Sequence, residues 1–60
     1  MVGYRFRYKK NDIVMIDNVR LKILKTEPIA SQIYRYPHYT CKIVGRGCTD
    51  VYSEKRMVKV

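Results

Sequence analysis

The sequence predicts an all-β domain in which five or six short antiparallel strands curl into one small barrel. Apolar and polar residues alternate along most of the chain, and a repeat of two residues is typical of strands with one buried face. Clusters of Asn, Asp and Gly separate these stretches where turns are expected. The chain has 60 residues, so it forms one domain at most, residues 1–60, and its strands are too few for two stacked sheets. A barrel also leaves fewer exposed strand edges.

The first predicted strand covers residues 2–9 and alternates aromatic with basic side chains. One face carries Val2, Tyr4, Phe6 and Tyr8, and the other carries Arg5, Arg7 and Lys9. We expect the apolar set to pack in the core and the basic set to point to solvent. Residues 10–12, Lys-Asn-Asp, then form a turn, because Asn and Asp bond to their own backbone and tolerate left-handed angles.

A hairpin is predicted next, with strands at residues 12–17 and 19–25. The first strand is apolar on both faces, so we expect it to be covered on both sides. Asp17 and Asn18 make the tight turn that joins the two strands. In the second strand the alternation places Val19, Leu21 and Ile23 inside and places Arg20 and Lys22 outside.

Residues 26–37 interrupt the alternation and are predicted to form a long loop. Pro28 and Pro37 cannot donate to a strand ladder, so a regular central strand does not cross them. Ile29, Ile33 and Tyr36 could place apolar groups beneath this loop.

A second hairpin is predicted from strands over residues 38–44 and 48–52. The turn between them contains Gly45 and Gly47, two residues that are free to adopt positive φ. On the first of these strands the inward positions are Tyr39, Cys41 and Ile43.

The chain is predicted to end with a turn and a short strand. Residues 53–56 form a turn or a single 3₁₀ turn, and Ser53 is placed to cap it. Residues 57–60, MVKV, then form the last strand.

Three stretches in this order are similar to a known barrel class. They are KKNDIVMI at residues 9–16, YTCKIVGRG at residues 39–47 and VYSEKRMVKV at residues 51–60. They look like a basic–Gly–Asp–x–Val opening strand, a central hairpin, and a 3₁₀ turn with its closing strand. The chain therefore resembles the SH3-like small β-barrel superfamily, with its Tudor-like and KOW-like relatives. Asn11 replaces the usual glycine and the Gly-rich KOW loop is absent, so the resemblance implies a single SH3-like barrel but no specific function.

The charge of the chain is strongly unbalanced. Thirteen Lys and Arg stand against five Asp and Glu, which gives a net charge of +8. The excess lies in residues 1–10 and 31–60, whereas residues 11–30 are balanced. Positive charge raises the local concentration of polyanions such as nucleic acid, and also of acidic proteins or anionic lipid. It also aids solubility, an explanation that requires no partner.

The apolar stretches are too short for a transmembrane span or for the apolar part of a secretory leader. We therefore expect a cytoplasmic protein with free thiols and no membrane partner. Tyr, Ile, Lys and Asn have codons rich in A and T, which indicates an AT-rich genome such as that of a phage. The compartment would then be the cytoplasm of the host.

No group of residues predicts catalysis or metal binding. In the expected hairpin register Cys41 faces Val51, which places its sulfur too far from that of Cys48 for a disulfide. Only His38 and Asp50 could join the cysteines in a zinc site, so inert thiols are favoured over metal by about ten to one. No nucleophile–base pair surrounds His38, and a packing or hydrogen-bonding histidine is favoured. The carboxylates are scattered, so we predict a protein that is not an enzyme and has no cofactor.

Seven basic residues at outward positions are the candidate phosphate-binding set: Arg5, Arg7, Lys9, Arg20, Lys22, Lys42 and Arg46. If the fold brings them together, they form a track for a phosphate backbone, and if they scatter, they form a solvated coat. The leading hypothesis is a non-catalytic module that binds DNA or RNA with low sequence specificity, because no motif for base recognition is present.

Aromatic residues crowd the segment IYRYPHY, residues 33–39. Tyr34, Tyr36 and Tyr39 are the candidates for stacking on bases or for anchoring a protein interface, at about even odds against simple packing. In SH3-like barrels such aromatic residues often line a ligand groove, which the resemblance implies here. The alternative function is a protein-interaction module, or a small viral regulator that binds an acidic host surface. A barrel this small could also self-associate.

Overall fold

The fold is a single antiparallel sheet with one short helix and one 3₁₀ turn, as a computed structural model that describes residues 5–60 shows. In chain order the elements are β1 (Ile13–Ile16), β2 (Val19–Thr26), α1 (Pro28–Tyr34), β3 (His38–Ile43), β4 (Thr49–Ser53), the 3₁₀ turn (Glu54–Arg56) and β5 (Val58–Lys59). The strands lie in the order β4-β3-β2-β1-β5, so the last strand returns to pair with the first. The prediction of an all-β fold with five strands and a 3₁₀ turn is confirmed.

The first hairpin is built on a turn in which both residues have left-handed backbone angles. Asp17 has φ 51° and Asn18 has φ 67°, the conformation that matches the twist of two strands joined by a two-residue loop. The pairing runs from Ile16 opposite Val19 to Ile13 opposite Lys22. This turn is confirmed as the sequence predicted it.

One face of the sheet carries the core, and we call the opposite face the outer face. The buried apolar side chains are Tyr8, Val14, Ile16, Leu21, Ile23, Tyr39, Cys41 and Met57. Within β1, β2 and β3 they follow the alternation that the sequence predicted. Val19 is an exception, since it stands at the end of β2 next to the turn and is 43% exposed. The prediction that β1 is covered on both sides is also wrong, because Ile13 and Met15 on its outer face are only half-buried.

The segment 5–9 is not a strand, which corrects the prediction for residues 2–9. Three successive backbone N–H groups donate to side chains instead of to a neighbouring strand. Arg7 donates to Glu54 Oε1 at 3.0 Å, Tyr8 to the Tyr39 hydroxyl at 3.2 Å and Lys9 to Asp12 Oδ2 at 3.1 Å. The predicted sides of these residues are nevertheless confirmed. Phe6 and Tyr8 pack on the core, and the exposed residues are Arg5, Arg7 and Lys9. Val2 and Tyr4 lie outside the described residues.

The turn after this segment is confirmed. Asn11 adopts φ 76°, and its N–H donates to the carbonyl oxygen of Ile23 at 2.7 Å. The Ile23 N–H donates in return to the carbonyl oxygen of Asp12 at 2.8 Å. These two bonds extend the pairing of β1 with β2 by one step beyond Ile13.

Residues 26–37 are not a long loop, because their centre forms α1. Pro28 stands in the first turn, where its missing N–H is not required and its fixed φ suits the helix. The helix ends at Arg35, which has φ 55°, and the Tyr36 N–H closes the end by donating to the Ser31 carbonyl at 3.1 Å. Pro37 follows this closure, a common place for proline. The two prolines therefore mark the ends of a helix.

The second hairpin pairs β3 with β4 one residue away from the predicted register. Cys41 stands opposite Asp50, whereas the sequence analysis placed it opposite Val51. Five residues, 44–48, join the two strands, and among them Gly45 has φ 87°. The predicted capping of the 3₁₀ turn is confirmed, since the Ser53 hydroxyl accepts a hydrogen bond from the Lys55 N–H at 3.2 Å.

Candidate nucleic-acid interface

Three basic side chains lie side by side on the outer face of the sheet. Lys22 of β2 stands directly opposite Lys42 of β3. Arg20 is two residues before Lys22 and so points to the same face, and its carbonyl accepts a hydrogen bond from the Val44 N–H at 3.0 Å. We call Arg20, Lys22 and Lys42 the basic row. The fold therefore brings together three of the seven predicted phosphate-binding residues.

The basic row has no acidic residue beside it on the outer face of β1, β2 and β3 in the described chain. Like charges directly opposite each other in a sheet are destabilising, whereas an opposite charge would contribute about 0.2–1 kcal/mol. Asp17 is the nearest acid along the chain, three positions before Arg20, and it pairs with Arg56 at 3.0 Å. The next is Glu27, whose carboxylate is held by Thr40 and Lys25. The Thr40 hydroxyl donates to it, and the Lys25 ammonium lies 3.5 Å away. The charge of Glu27 is thus offset locally by Lys25.

The hydrogen bond from Thr40 lowers the pKa of Glu27. Desolvation opposes this effect and the positive charge of Lys25 adds to it. The carboxylate therefore stays ionised at neutral pH, and it neutralises Lys25 but not the basic row. The positive charge of the outer face is concentrated where β2 pairs with β3, at Lys22 and Lys42.

Apolar side chains flank the basic row. Ile13 stands opposite Lys22 and Met15 stands opposite Arg20. The exposed members of this surface lie toward the sheet edges and the turn, and they are Val44, Val51 and Val58. The outer face thus combines positive charge with apolar contact area.

The other four predicted phosphate-binding residues lie elsewhere. Arg5, Arg7 and Lys9 are exposed on the segment that packs Phe6 and Tyr8 against the core, so they lie on the opposite side of the sheet from the basic row. Arg46 is in the turn after β3, and this turn begins next to Arg20. It is exposed in this turn beyond the end of the sheet, whereas the N-terminal bases form a separate surface.

The three predicted stacking tyrosines are in different environments. Tyr34 is 67% exposed and Tyr36 is 40% exposed, so both can meet a ligand. Tyr39 has no exposed surface at all. Its assignment as a stacking residue is therefore wrong, because a base cannot reach its ring. The apolar–polar alternation along β3 correctly predicted that Tyr39 points into the core, although the residue lies within the aromatic segment 33–39.

Tyr39 instead connects three parts of the core through its hydroxyl. The hydroxyl accepts the Tyr8 N–H and donates to Glu54 Oε1 at 3.0 Å. Its ring packs edge-on against Phe6, with centroids 5.6 Å apart. The pKa of Tyr39 is raised to about 12, chiefly by burial, which outweighs the lowering effect of the Tyr8 N–H and is reinforced by the bond to Glu54. Tyr39 is a structural residue that holds the segment 5–9 on the sheet.

His38 joins the site although the sequence analysis did not predict it as a binding residue. Its ring stacks on that of Tyr34, with centroids 5.0 Å apart and planes inclined by 28°. Its Nδ1 lies 2.6 Å from the Tyr36 carbonyl oxygen. The alternation along β3 puts His38 on the same face as Lys42, which is the signal in the sequence that could have identified it.

The two cysteines differ in their exposure. Cys41 is buried, Cys48 is exposed, and both are free thiols. Burial raises the pKa of Cys41 to about 11, so this thiol stays protonated at neutral pH and is a poor nucleophile. Within residues 5–60, no three His, Cys, Asp or Glu side chains are grouped so that they could hold a metal ion.

A small apolar cleft opens at the end of the sheet where the two hairpins turn. It has a volume of about 190 Å³ and is lined by Ile16, Asp17, Val19, Leu21, Ile43 and Tyr52. Pockets for drug-sized ligands usually measure about 300–1,000 Å³. The cleft can accept one side chain or a small group, and Arg56 stands at its rim by binding Asp17 at 3.0 Å.

The comparisons with known proteins identify no relative of the chain. No protein family, curated protein or solved structure matches the chain. Among the described helices, none has the length and apolar character needed to cross a membrane.

Proposed function

We propose that the protein is a non-catalytic module that binds nucleic acid with low sequence specificity. The observation that carries the proposal is the pairing of Lys22 with Lys42 beside Arg20, on strands β1, β2 and β3 that contain no acidic residue in the described chain. This arrangement costs stability in the free protein and is relieved when an anion with repeated charges neutralises it. A phosphate backbone is such an anion, and each neutralised phosphate releases counterions.

Low sequence specificity follows from the kind of side chains in the basic row. Flexible lysines contact phosphates as point charges, and phosphate contacts position a protein without reading the bases. In the described chain no helix is long enough to enter a major groove with several side chains, since α1 has seven residues. The proposal includes a cytoplasmic location, and for a viral chain the cytoplasm of the host.

The same proposal includes an SH3-like barrel. The sheet order β4-β3-β2-β1-β5 and the 3₁₀ turn before β5 support it, together with the sequence resemblance. The proposed function does not depend on this assignment, because barrels of this class host many unrelated roles.

The test is fluorescence anisotropy of the nuclease-treated protein with labelled DNA and RNA across a salt series. We expect log K to fall linearly with log salt, with a slope that corresponds to about three neutralised phosphates. In Lys22→Gln/Lys42→Gln the slope should fall by about 1.4 on single strands or about 1.8 on duplexes. The matched control is Lys10→Gln/Lys55→Gln, which removes two exposed charges outside the basic row. Equal losses in both double variants, or no binding at low salt, would refute the proposal.

A second candidate function is a protein-interaction module, and one observation favours it. Ile29 and Ile33 stand one helical turn apart on α1 and are 75% and 68% exposed. An exposed apolar stripe on a short helix is a common feature of protein-binding surfaces. This candidate predicts a protein complex that survives nuclease digestion, is lost in Ile29→Ser/Ile33→Ser, and is kept in Lys22→Gln/Lys42→Gln.

A further inference from the structure

The outer face of β3 links the basic row to an aromatic pair. His38, Thr40 and Lys42 alternate along the strand on this face. At one end Lys42 belongs to the basic row, and at the other end His38 stacks with Tyr34. Lys42 is four positions after His38, which corresponds to about 13 Å along a strand.

The middle of this path is close to neutral. Thr40 donates its hydroxyl to the Glu27 carboxylate, whose charge Lys25 offsets at 3.5 Å. On the outer face of β3 itself, the lysine therefore stands at one end of the path and the aromatic pair, followed by the exposed Arg35, at the other. A ligand that fits must offer phosphates at one end and a flat apolar group at the other.

The aromatic pair is held firmly enough to serve as a platform. Ser31 is buried, and its hydroxyl accepts the His38 N–H at 2.8 Å while it donates to the Glu27 carbonyl at 2.7 Å. These bonds fix the start of β3 against α1, the helix that carries Tyr34. The ring of Tyr34 is 67% exposed despite its contact with His38, so one of its faces remains open to a ligand.

We propose that the basic row and the Tyr34–His38 pair together bind single-stranded nucleic acid in preference to duplex. Phosphates lie on Arg20, Lys22 and Lys42, and an unpaired base stacks on Tyr34. This inference rests on the proposed function and adds the strandedness of the ligand. In a duplex the faces of the bases are covered by their neighbours, so a duplex can use the basic row but not Tyr34.

The decisive probe is a pair of single strands with the same number of phosphates, of which one has bases and one does not. We would measure the affinity of the protein for a thymidine oligonucleotide of about 12 nucleotides, within the usual site sizes of about 4–16. An abasic strand of the same length and a duplex of the same length are the comparisons. The thymidine strand should bind about five- to a hundredfold more tightly than the abasic strand, the range expected for one stacked base.

Tyr34→Leu tests the platform while it keeps an apolar side chain at the position. It should remove the preference for thymidine over the abasic strand and leave the affinity for duplex and the salt slope unchanged. Gln32→Leu, which places the same side chain at an exposed position of the same helix, is the matched control and should keep the preference. Lys42→Gln should instead lower the salt slope by about 0.7 and keep the preference for thymidine. On binding, the ring proton resonances of Tyr34 and His38 should shift upfield, which a purely structural role would not produce.

The outcomes separate this inference from the proposed function. Equal affinity for thymidine and abasic strands, or an unchanged preference in Tyr34→Leu, overturns the single-strand inference while the proposed function stands. Absence of binding to every probe overturns both. If Tyr34→Leu leaves oligonucleotide binding intact but abolishes a nuclease-resistant protein complex, Tyr34 belongs to a protein interface and the inference is wrong.

Discussion

Tyr39 shows how one side chain can hold together distant parts of a small fold. Its hydroxyl accepts the Tyr8 N–H and donates to Glu54, while the backbone N–H of Arg7 donates to the same carboxylate oxygen. Its ring has no exposed surface. Removal of the Tyr39 hydroxyl should lower the free energy of unfolding, because the buried N–H of Tyr8 has no other hydrogen-bond acceptor in the described chain.

Tyr39→Phe should therefore lower the free energy of unfolding by about 1–3 kcal/mol, the cost of leaving one buried donor without an acceptor. Urea denaturation monitored by circular dichroism measures this change. Tyr34→Phe is the control, because its hydroxyl lies on an exposed side chain, and it should change stability by less than about 0.5 kcal/mol. Equal effects of the two substitutions would contradict the role of the Tyr39 hydroxyl.

The raised pKa of Tyr39, about 12 in the folded protein, predicts a loss of stability in alkaline solution. Below about pH 10 the hydroxyl is protonated in both states. Between about pH 10 and about pH 12 the unfolded state ionises first and binds fewer protons, so the free energy of unfolding falls as pH rises. Urea denaturation at about pH 9 and about pH 11 should show a larger loss in the wild type than in Tyr39→Phe. A fall of the same size in Tyr39→Phe would assign it to the other tyrosines and the lysines.

At the scale of single elements, α1 depends on its contacts with β3. It has seven residues, and an isolated helix of this length is unstable in water. Ser31 provides the main polar link, since its hydroxyl is bonded to both Glu27 and His38. The helix therefore positions Tyr34 only as long as this link is intact.

Ser31→Ala should detach the start of β3 from α1, because the His38 N–H loses its acceptor. We expect a loss of about 1–3 kcal/mol in stability and faster hydrogen exchange at the His38 amide. Gln32→Ala, an exposed position on the same helix, is the control and should leave both quantities close to those of the wild type. If the exchange rate of His38 in Ser31→Ala equals that in Gln32→Ala, the link is not needed for the helix to dock.

The pairing of Lys22 with Lys42 predicts opposite effects of one substitution on stability and on binding. Lys42→Glu places a carboxylate opposite Lys22, which should raise stability by about 0.2–1 kcal/mol and weaken nucleic-acid binding. Lys55→Glu changes the net charge by the same amount outside the basic row. Denaturation and anisotropy on the two variants would measure both effects. The prediction fails if Lys42→Glu is less stable than Lys55→Glu, or if the two bind equally well.

The elements that the sequence predicted well are those defined by local patterns. The alternation of apolar residues located β1, β2 and β3, and Asp17–Asn18 located the first turn. Two elements were missed because longer-range contacts decide them. Residues 5–9 alternate like a strand, yet their backbone N–H groups donate hydrogen bonds to side chains up to 47 positions away. Pro28 was interpreted as a break in structure, although proline is equally suited to begin a helix.

The site was only partly predictable for the same reason. Periodicity showed that Arg20, Lys22 and Lys42 point outward. Only the order of the strands in the sheet shows that these three side chains share a face. The same periodicity placed Tyr39 inward, and that observation should have outweighed its aromatic neighbours. The contact of His38 with Tyr34 depends on how α1 packs, which no local pattern in the sequence encodes.

At the scale of the whole molecule, the net charge of +8 has to be held within one small domain. Mutual repulsion of the excess bases opposes the compact state, and it is screened over about 30 Å at 10 mM salt and about 8 Å at physiological ionic strength. Two of the ion pairs in the described chain offset part of this charge, Lys25 with Glu27 and Arg56 with Asp17. The remaining excess should make stability sensitive to ions.

Raising the salt concentration from about 10 mM to about 200 mM should therefore raise the thermal midpoint of unfolding. Inorganic polyphosphate should do so at a much lower concentration, because it binds the folded state through the basic row. Scanning calorimetry measures both effects, and Lys22→Gln/Lys42→Gln should show a smaller response to polyphosphate than Lys10→Gln/Lys55→Gln. A midpoint that does not respond to either addition would show that the charges are too far apart to repel one another appreciably.

The way in which the segment 5–9 is attached has a consequence for the order of folding. The two hairpins join residues that are near neighbours in the chain, so they close small loops at little entropic cost. The bonds of Arg7 and Tyr8 span 47 and 31 residues, and their acceptors are in place only after β3 and the 3₁₀ turn have formed. The segment should therefore dock after the transition state, with φ-values near zero at Phe6 and Tyr8. Substitutions there would speed unfolding and leave the folding rate almost unchanged. During synthesis this segment would dock only after Tyr39 and Glu54 have been added to the chain.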